Sequence, residues 1–218
     1  MDAIVLAAGR GVRMQLGYPK QFLKINGKPC FIYVLEVLNN CPAIGTIYMT
    51  CHADYMEEYA RYAEMYHIRN AVMIAGGATR QDSVRLALEH VTSERVLIHE
   101  AARPLISVDF VDEILACVGE EAVVPTIPIS FTVAQGGEYM ECELDRSKLH
   151  NIQLPQVFDT HCLRQVHERA LQDGYRATED GMLAFHYGVR VRFVRGRESN
   201  IKVTTPLDVK MVEKLLKL

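Results

Sequence analysis

Apolar positions in this chain fall into two kinds of segment that alternate from one end to the other. Short, nearly continuous apolar runs are typical of strands buried on both faces of a sheet, and longer segments with apolar residues three and four positions apart are typical of helices. The short runs predict strands at 3–7, 44–51, 70–75, 95–99, 122–128 and 189–194. The longer segments predict helices at 29–39, 54–67 (capped by Asp54), 79–91, 108–119, 160–174, 178–188 and 206–218.

Strands that alternate with helices predict one α/β domain over residues 1–218. We expect a three-layer, Rossmann-like and mostly parallel sheet with helices on both faces. Residues 129–150 interrupt the alternation, because they hold few core residues and contain the turn Gly136-Gly137. They are predicted to form a two-stranded β-arm that protrudes from the domain.

Polar and small residues are concentrated where the predicted strands end. Four such clusters lie at or just past a strand end, at 8–14, 76–83, 99–104 and 196–205. Ligands of open α/β sheets bind beyond the carboxyl ends of the strands. The four clusters are therefore predicted to share one site.

The first cluster is a glycine loop with unusual local charge. Small residues and glycines allow backbone N–H groups to approach an anion closely, and a run of such groups binds phosphate well. Residues 1–28 contain five basic residues and one acid, a local balance of +4 in a chain whose net charge is −3. This combination predicts a site for a phosphate chain, although a glycine turn beside ordinary surface cations stays open as an alternative.

Other known motifs are absent or incomplete in the sequence. The Walker pattern does not occur, and Met14 stands where the dinucleotide fingerprint needs its third glycine. Arg103 stands where a zinc protease of the H-E-x-x-H type needs its second histidine. No Gly-x-Ser-x-Gly or Cys–His arrangement suggests a covalent intermediate.

Composition excludes several classes of partner. The sequence is 49% apolar and 23% charged, which is typical of a globular domain, and no apolar run is long enough to cross a membrane. A pI near 6.2 argues against nucleic acid as the main partner. Six cysteines without a C-x-x-C pair fit the reduced thiols of a cytoplasmic protein.

Five motifs in chain order carry a resemblance to a known family. The first is Leu6-Ala-Ala-Gly9-x-Gly11-x-Arg13-Met14 with Pro19-Lys20-Gln21-Phe22, which resembles the signature of nucleotide-diphospho-sugar transferases. The Pro-Lys-Gln form is similar to cytidylyltransferases that act on small polyol phosphates, of which the best-known members use 2-C-methyl-D-erythritol 4-phosphate or D-ribitol 5-phosphate. The other motifs are Gly76-Gly77-x-x-Arg80-x-x-Ser83-Val84, His99-Glu100-Ala101-Ala102-Arg103-Pro104, Asp145-Arg146 with Leu154-Pro-Gln-x-Phe158, and Asn200-Ile-Lys202-Val-Thr-x-Pro206.

The resemblance implies an activity and a set of site residues. The implied reaction transfers CMP from CTP to a polyol phosphate and releases pyrophosphate, with Mg²⁺ held by the CTP phosphates and no certain protein ligand. The implied catalytic cations are Arg13, Lys20 and Lys202. The implied nucleotide-binding residues are Ala7, Ala8, Gly9, Gly11, Gly76, Gly77, Arg80, Ser83 and Ala101. The implied acceptor-binding residues are Glu100, Arg103, Thr132, Arg146 and Thr178.

The resemblance also implies a homodimer in which the β-arm places Thr132 and Arg146 in the partner subunit's pocket. Glu100 stands where the family usually has Asp, and Leu154 where it usually has Thr, which leaves the acceptor open. The favoured acceptor is 2-C-methyl-D-erythritol 4-phosphate, for non-mevalonate isoprenoid biosynthesis. D-ribitol 5-phosphate or another polyol phosphate is the alternative, for cell-wall or capsule polymers.

For two of the motifs, a purely structural role remains an alternative to ligand binding. Gly76-Gly77 with Thr79 and Asp82 also fits a plain turn followed by a near capping box. Thr178, with two acids after it, also fits a plain helix cap. Two other classes of protein remain as alternatives, a nicotinamide oxidoreductase and a non-catalytic nucleotide-binding protein.

Overall fold

A central β-sheet carries the helices of this fold. The computed structural model describes residues 1–9, 19–117, 119 and 121–217. The strands are β1 (Asp2–Leu6), β2 (Lys24–Ile25), β3 (Lys28–Pro29), β4 (Ile47–Cys51), β5 (Ala71–Ala75), β6 (Arg95–Glu100), β7 (Ala122–Pro128), β8 (Ala134–Gly136), β9 (Met140–Glu143), β10 (His150–Ile152), β11 (Gln156–Asp159) and β12 (Val191–Arg195). The helices are α1 (Cys30–Asn39), α2 (Met56–Met65), α3 (Arg80–Leu88), α4 (Val108–Leu115), α5 (Thr160–Asp173), α6 (Asp180–His186) and α7 (Pro206–Leu215).

The sheet is mostly parallel, as the sequence predicts. Its strands lie in the order β5–β4–β1–β6–β11–β7–β12, and β10 pairs with the end of β7 on the same side as β11. β10 and β11 run antiparallel to their neighbours, whereas the other strands of the sheet run parallel. The sequence does not predict β10 and β11 as strands, because their apolar segments are short and are separated by Gln153, Leu154 and Pro155.

The two faces of the sheet bury separate hydrophobic cores. Along β1, Ala3 and Val5 point into one core, while Ile4 points into the other, as alternation along a strand requires. The first core also receives α1, α2 and α4, and the second receives α3, α5 and α6. Helices on both faces confirm the predicted three-layer arrangement.

The predicted β-arm is present as a pair of exposed strands. β8 pairs with β9 antiparallel, and every residue of both strands is exposed. They do not pair with the central sheet. The role of this arm in dimerisation stays a prediction.

Several predicted ends of elements are wrong. Asp54 does not cap α2: it lies in a short 3-10 helix, Ala53–Tyr55, where His52 Nδ1 accepts the Asp54 backbone N–H at 3.4 Å. α6 begins at Asp180 after Glu179 as N-cap, so Thr178 is not its cap. α4 ends at Leu115, and β2 and β3 form a small hairpin that was not predicted. Among the described helices, none has both the length and the apolar character needed to cross a membrane.

Candidate active site

A cleft of about 350 Å³ opens at the carboxyl ends of β1, β4 and β6. Each of the four sequence clusters contributes to its wall, as the strand-end argument predicts. The lining residues are Leu6, Ala8, Gly9, Lys20, Gln21, Thr50, Gly77, Ala78, Thr79, Arg80, Ser83, Glu100, Ala102, Lys202 and Thr204.

Backbone contacts beyond the strand ends hold the floor of the cleft together. The Ala7 N–H donates to Thr50 O at 2.9 Å, and the Ala101 N–H donates to Leu6 O at 3.1 Å. Ala7 and Ala101 are buried and lie beneath the cleft rather than in its lining. Any contact they make with a ligand is therefore expected to come from the backbone.

Two glycines allow the loop after β5 to pack closely against its neighbours. A Cβ on Gly76 would lie 2.2 Å from Ala8 Cβ, and one on Gly77 would lie 2.4 Å from Asp82 Cβ. Real Cβ atoms do not approach this closely, so a side chain at 76 would push the loop away from the residues that follow β1, and one at 77 would collide with the first turn of α3.

The first turn of α3 forms the wall beside these glycines. Thr79 Oγ1 accepts the Asp82 N–H and Asp82 Oδ2 accepts the Thr79 N–H, both at 3.1 Å, which makes a full capping box. Ser83 Oγ accepts the Gly77 N–H at 3.1 Å and donates to Thr79 O at 2.9 Å. The start of the helix, which carries partial positive charge, is thus fixed at the cleft.

Cations from both ends of the chain meet in the cleft. Lys20, in the 3-10 helix Lys20–Phe22, donates to Val203 O at 2.8 Å. Lys202 Nζ lies 2.8 Å from Glu100 Oε1. The two predicted catalytic lysines therefore share one wall, although they are far apart in the sequence.

Glu100 is the carboxylate around which the neighbouring cations gather. Besides Lys202, it contacts Arg103 Nε at 3.3 Å and Arg80 Nε at 3.8 Å. Burial alone would raise the pKa of Glu100, but Lys202, Arg103 and Arg80 together hold that pKa below its usual range. Arg103 also donates to Asn200 O at 2.9 Å, which ties Glu100 to the C-terminal motif.

Arg80 also contacts two carboxylates at the start of α6. Its Nη1 lies 2.7 Å from Asp180 Oδ2, and its Nη2 lies 2.9 Å from Glu179 Oε2. Asp180 is buried and also contacts His167 Nε2 at 3.2 Å. The sequence shows Glu179 and Asp180 only as acids near a helix start, because a buried acid and a solvated one look alike at such a position.

Seven described residues of the lining are not among the predicted site residues: Leu6, Gln21, Thr50, Ala78, Thr79, Ala102 and Thr204. Gln21, Thr50 and Thr204 face the cleft. Gln21 and Thr204 lie inside motifs that were recognised, and Thr50 is a polar residue at the end of an apolar run, a signal that could have been used. Gln21 Nε2 also donates to Gly9 O at 3.1 Å, so it braces the glycine loop.

The other predicted site residues are not among the described residues that line the cleft. Gly11 and Arg13 are outside the described residues. Thr132 and Arg146 are exposed on the segment that carries the β-arm and do not line the cleft of their own chain; Arg146 donates to Ser130 O at 3.2 Å. Thr178 is exposed and also outside the lining.

No preassembled metal site is present among the described residues. Nowhere in that part of the chain do three or more His, Cys, Asp or Glu side chains gather as a metal would require. Glu100, the carboxylate of the cleft lining, already contacts Lys202 and Arg103. A magnesium ion would therefore need most of its ligands from phosphate and water, which is how this ion commonly binds.

These features define a nucleotide-binding α/β protein with a cation-rich cleft at the carboxyl ends of its parallel strands. The whole chain, residues 1–218, matches the model of the family described as 2-C-methyl-D-erythritol 4-phosphate cytidylyltransferase. Proteins of that name from Geobacillus thermodenitrificans and Symbiobacterium thermophilum are 35% and 36% identical to it, over 99% of this chain and 96% and 92% of theirs. The chain belongs to the 2-C-methyl-D-erythritol 4-phosphate cytidylyltransferase family.

Solved structures agree with this assignment. The 2-C-methyl-D-erythritol 4-phosphate cytidylyltransferase of Thermus thermophilus superposes with a TM-score of 0.82 at 29% identity, covering 100% of both chains. The 4-diphosphocytidyl-2C-methyl-D-erythritol synthase of Anaerococcus prevotii superposes with a TM-score of 0.87 at 26% identity, covering 100% of this chain and 96% of that one. The predicted fold class and family are both confirmed.

Proposed function

We propose that the protein joins CTP and 2-C-methyl-D-erythritol 4-phosphate, forming the CDP-polyol and releasing pyrophosphate. The observation that carries the proposal is the match of the whole chain to the family, together with Lys20 and Lys202 in one cleft. A cytidylyltransferase of this kind is a nucleotidyltransferase of isoprenoid biosynthesis. A nicotinamide oxidoreductase and a non-catalytic binding protein are both less consistent with that match.

The proposed chemistry is a direct displacement at phosphorus. An oxygen of the acceptor phosphate attacks the α-phosphorus of CTP, the bond to the β-phosphate oxygen breaks, and its electron pair leaves with pyrophosphate. A phosphate monoester is already largely ionised at neutral pH, so no general base is needed. In agreement, no histidine or cysteine is among the described residues that line the cleft.

The main task of the protein is then to offset negative charge. Both substrates are anions, and charge builds on the phosphoryl oxygens in the transition state. Lys20, Lys202 and the sequence-predicted Arg13 are the proposed catalytic cations. Lys202 contacts Glu100 at 2.8 Å, and its ammonium group has further N–H donors with which it can bind a phosphate oxygen.

The proposed nucleotide site lies between the end of β1 and the first turn of α3. Backbone groups of Ala7, Ala8, Gly9 and Ala101 would contact the nucleotide on one side. The Ala7 and Ala101 N–H groups already donate to Thr50 O and Leu6 O, so these two residues would offer their carbonyl oxygens. On the other side lie Gly76, Gly77, Arg80 and Ser83, beside the capped helix start. Mg²⁺ would arrive with the triphosphate and supply further positive charge to its oxygens.

The proposed acceptor site uses groups from two subunits. Glu100, Arg103 and Thr178 would come from one protomer of a homodimer, and Thr132 and Arg146 from its partner. Support comes from the arm, where Phe131, Tyr139 and Met140 are between 77% and 82% exposed, although large apolar side chains are usually covered. We place the reaction in the cytoplasm, where the six free cysteines would stay reduced.

A pyrophosphate-release assay tests the function. Purified protein receives CTP and Mg²⁺ with either 2-C-methyl-D-erythritol 4-phosphate or D-ribitol 5-phosphate, and other nucleoside triphosphates replace CTP in a second series. We expect kcat/KM with the methylerythritol acceptor and CTP to exceed the other combinations at least ~10-fold, since a mismatched polar pocket discriminates on that scale. Turnover with ribitol phosphate alone, or with neither acceptor, would contradict the proposal.

A further inference from the structure

A buried group of charges lies behind the wall of the cleft, on the side of α6. The Asp180 side chain is only 1% exposed and has two partners, Arg80 at 2.7 Å and His167 at 3.2 Å, one at each carboxylate oxygen. His167, which projects from α5, is equally buried. Among the described lining residues of the cleft, Arg80 is present, whereas Asp180 and His167 are absent.

We propose that Asp180 is a positioning residue for nucleotidyl transfer, which holds the Arg80 guanidinium on the nucleotide side of the cleft and so leaves Glu100 to Lys202 and Arg103. The proposal rests on the proposed function, in which Arg80 binds the nucleotide. Asp180 acts entirely through Arg80 and touches neither substrate.

The distances around Arg80 explain why this position matters. Arg80 Nε is already 3.8 Å from Glu100 Oε1, so Glu100 is the competing carboxylate outside the start of α6, where Glu179 and Asp180 lie. Without Asp180, the guanidinium would move onto Glu100 and displace Lys202, which now contacts the same oxygen at 2.8 Å. Asp180 thereby determines which carboxylate each cation contacts: Arg80 stays with Asp180, and Lys202 stays with Glu100.

Asp180 is better suited to this role than its neighbour Glu179. The Glu179 side chain is 21% exposed and has one ion-pair partner among the described residues, Arg80, so it can turn toward solvent. Burial and the nearby charges of Glu100 and Asp180 raise the pKa of Glu179. Burial alone would also raise the pKa of Asp180, but Arg80 and His167 bring that pKa down to about 2, so this carboxylate keeps its charge.

The backbone that carries Asp180 is fixed as well. The next residue, Gly181, donates its N–H to Gln156 Oε1 at 3.0 Å. A Cβ on Gly181 would lie 2.8 Å from Val124 Cγ2, so the start of α6 packs directly on β7. The carboxylate therefore has little freedom to follow Arg80 if Arg80 moves, which is what a positioning group requires.

A double-mutant cycle on CTP affinity tests the proposal. Calorimetry gives the CTP dissociation constant of the wild type, Asp180→Asn, Arg80→Met and the double variant. Because Asp180 acts through Arg80, we expect Asp180→Asn to weaken binding about tenfold in the wild type but less than about twofold in the Arg80→Met background, a coupling in the range measured for contacting residues. Glu179→Gln, the matched control that removes a more exposed charge from the same guanidinium, is expected to weaken binding less than about threefold.

Equal losses from Asp180→Asn in both backgrounds would overturn the proposal, because a merely structural residue acts whether or not Arg80 is present. If Asp180→Asn does not fold, His167→Leu provides the second cycle, since it removes the other partner of Asp180. It is expected to weaken CTP binding about threefold in the wild type and not in the Arg80→Met background. A loss of the same size in both backgrounds would again overturn the role of Asp180.

Failure of the proposed function would look different. A wild-type protein that binds CTP but releases no pyrophosphate with any acceptor would contradict the function and leave the cycle on CTP affinity interpretable. Additive losses in that cycle would contradict the role of Asp180 even in a fully active enzyme.

Discussion

The charge of Glu100 dominates the electrostatics of the cleft. Its carboxylate contacts Lys202, Arg103 and Arg80, and all three lower its pKa against the effect of burial. The longer side chain of Glu, compared with the usual Asp, extends this carboxylate further from the backbone of β6 toward the cations.

Removal of either lysine from the cleft is expected to slow the chemical step. Lys20→Ala and Lys202→Ala should each lower kcat at least ~100-fold, the scale for loss of one charge contact in a transition state. Steady-state pyrophosphate release at saturating CTP and acceptor measures the effect. Lys24→Ala is the matched control, because Lys24 is exposed on β2 and outside the cleft lining, and it should leave kcat within about twofold of wild type.

Unchanged turnover in both cleft variants would contradict the assigned roles. A loss confined to KM would also contradict them, because it would mean that the lysines bind the ground state as strongly as the transition state.

Single residues also mark the limit of prediction from the sequence. Arg80 and Lys202 could be placed at the site because each lies in a cluster at a predicted strand end, and Lys20 because it lies in a motif of the family resemblance. Asp180 could not, because its importance depends on burial against Arg80, a hundred positions earlier in the chain. The local sequence pattern does not show which distant residue a side chain contacts, and acids at a helix start are usually solvated.

Among the elements, the long ones were predictable and the short ones were not. β7 was predicted with its observed bounds, and β1, α1 and α5 within one residue at each end, because their apolar patterns are long and regular. The hairpin of β2 and β3 has two residues in each strand, too few for a period to appear. Sequence pattern also cannot reveal that β11 enters between β6 and β7, since strand order depends on the packing of the whole sheet.

Loss of the β-arm is expected to convert a dimer into a monomer. Replacement of residues 131–145 by a short Gly-Ser linker removes Phe131, Tyr139 and Met140, the exposed apolar side chains that a partner subunit would cover. It also removes Thr132, which is proposed to reach the partner's acceptor site, so activity should fall together with the mass. Light scattering after size exclusion measures the mass, and pyrophosphate release measures the activity.

Phe185→Ser is the matched control for this change. Phe185 is 69% exposed on α6, away from the arm, and its replacement should leave the dimer intact. An arm-deleted protein that stays dimeric and fully active would contradict both the dimer contact and the shared acceptor site.

Over the whole molecule, segments distant in sequence close around the cleft. Lys20 donates to Val203 O, and the Val203 N–H donates to Ala102 O, both at 2.8 Å. Asn26 Nδ2 donates to Glu213 O at 3.0 Å, which ties the hairpin of β2 and β3 to α7. The integrity of the cleft therefore depends on contacts between segments that only the complete fold brings together.

His99 links the stability of this fold to pH. The side chain is fully buried beneath the cleft in β6, with Nε2 at 3.1 Å from Arg103 O. Burial, with a smaller contribution from the charge of Arg103, lowers the pKa of His99 to about 4. In the unfolded chain its pKa is about 6.5, so between these values the unfolded state binds the proton and the folded state does not.

The contribution of His99 is therefore complete above pH 6.5 and is lost as the pH falls toward 4. A difference of this size corresponds to about 3 kcal/mol of unfolding free energy. Urea unfolding of the wild type and His99→Gln at pH 7, 5.5 and 4 measures it, since a glutamine amide can still donate to Arg103 O but does not titrate. We expect the wild type to lose more stability than the variant across this range, and parallel losses in the two proteins would contradict the buried neutral state of His99.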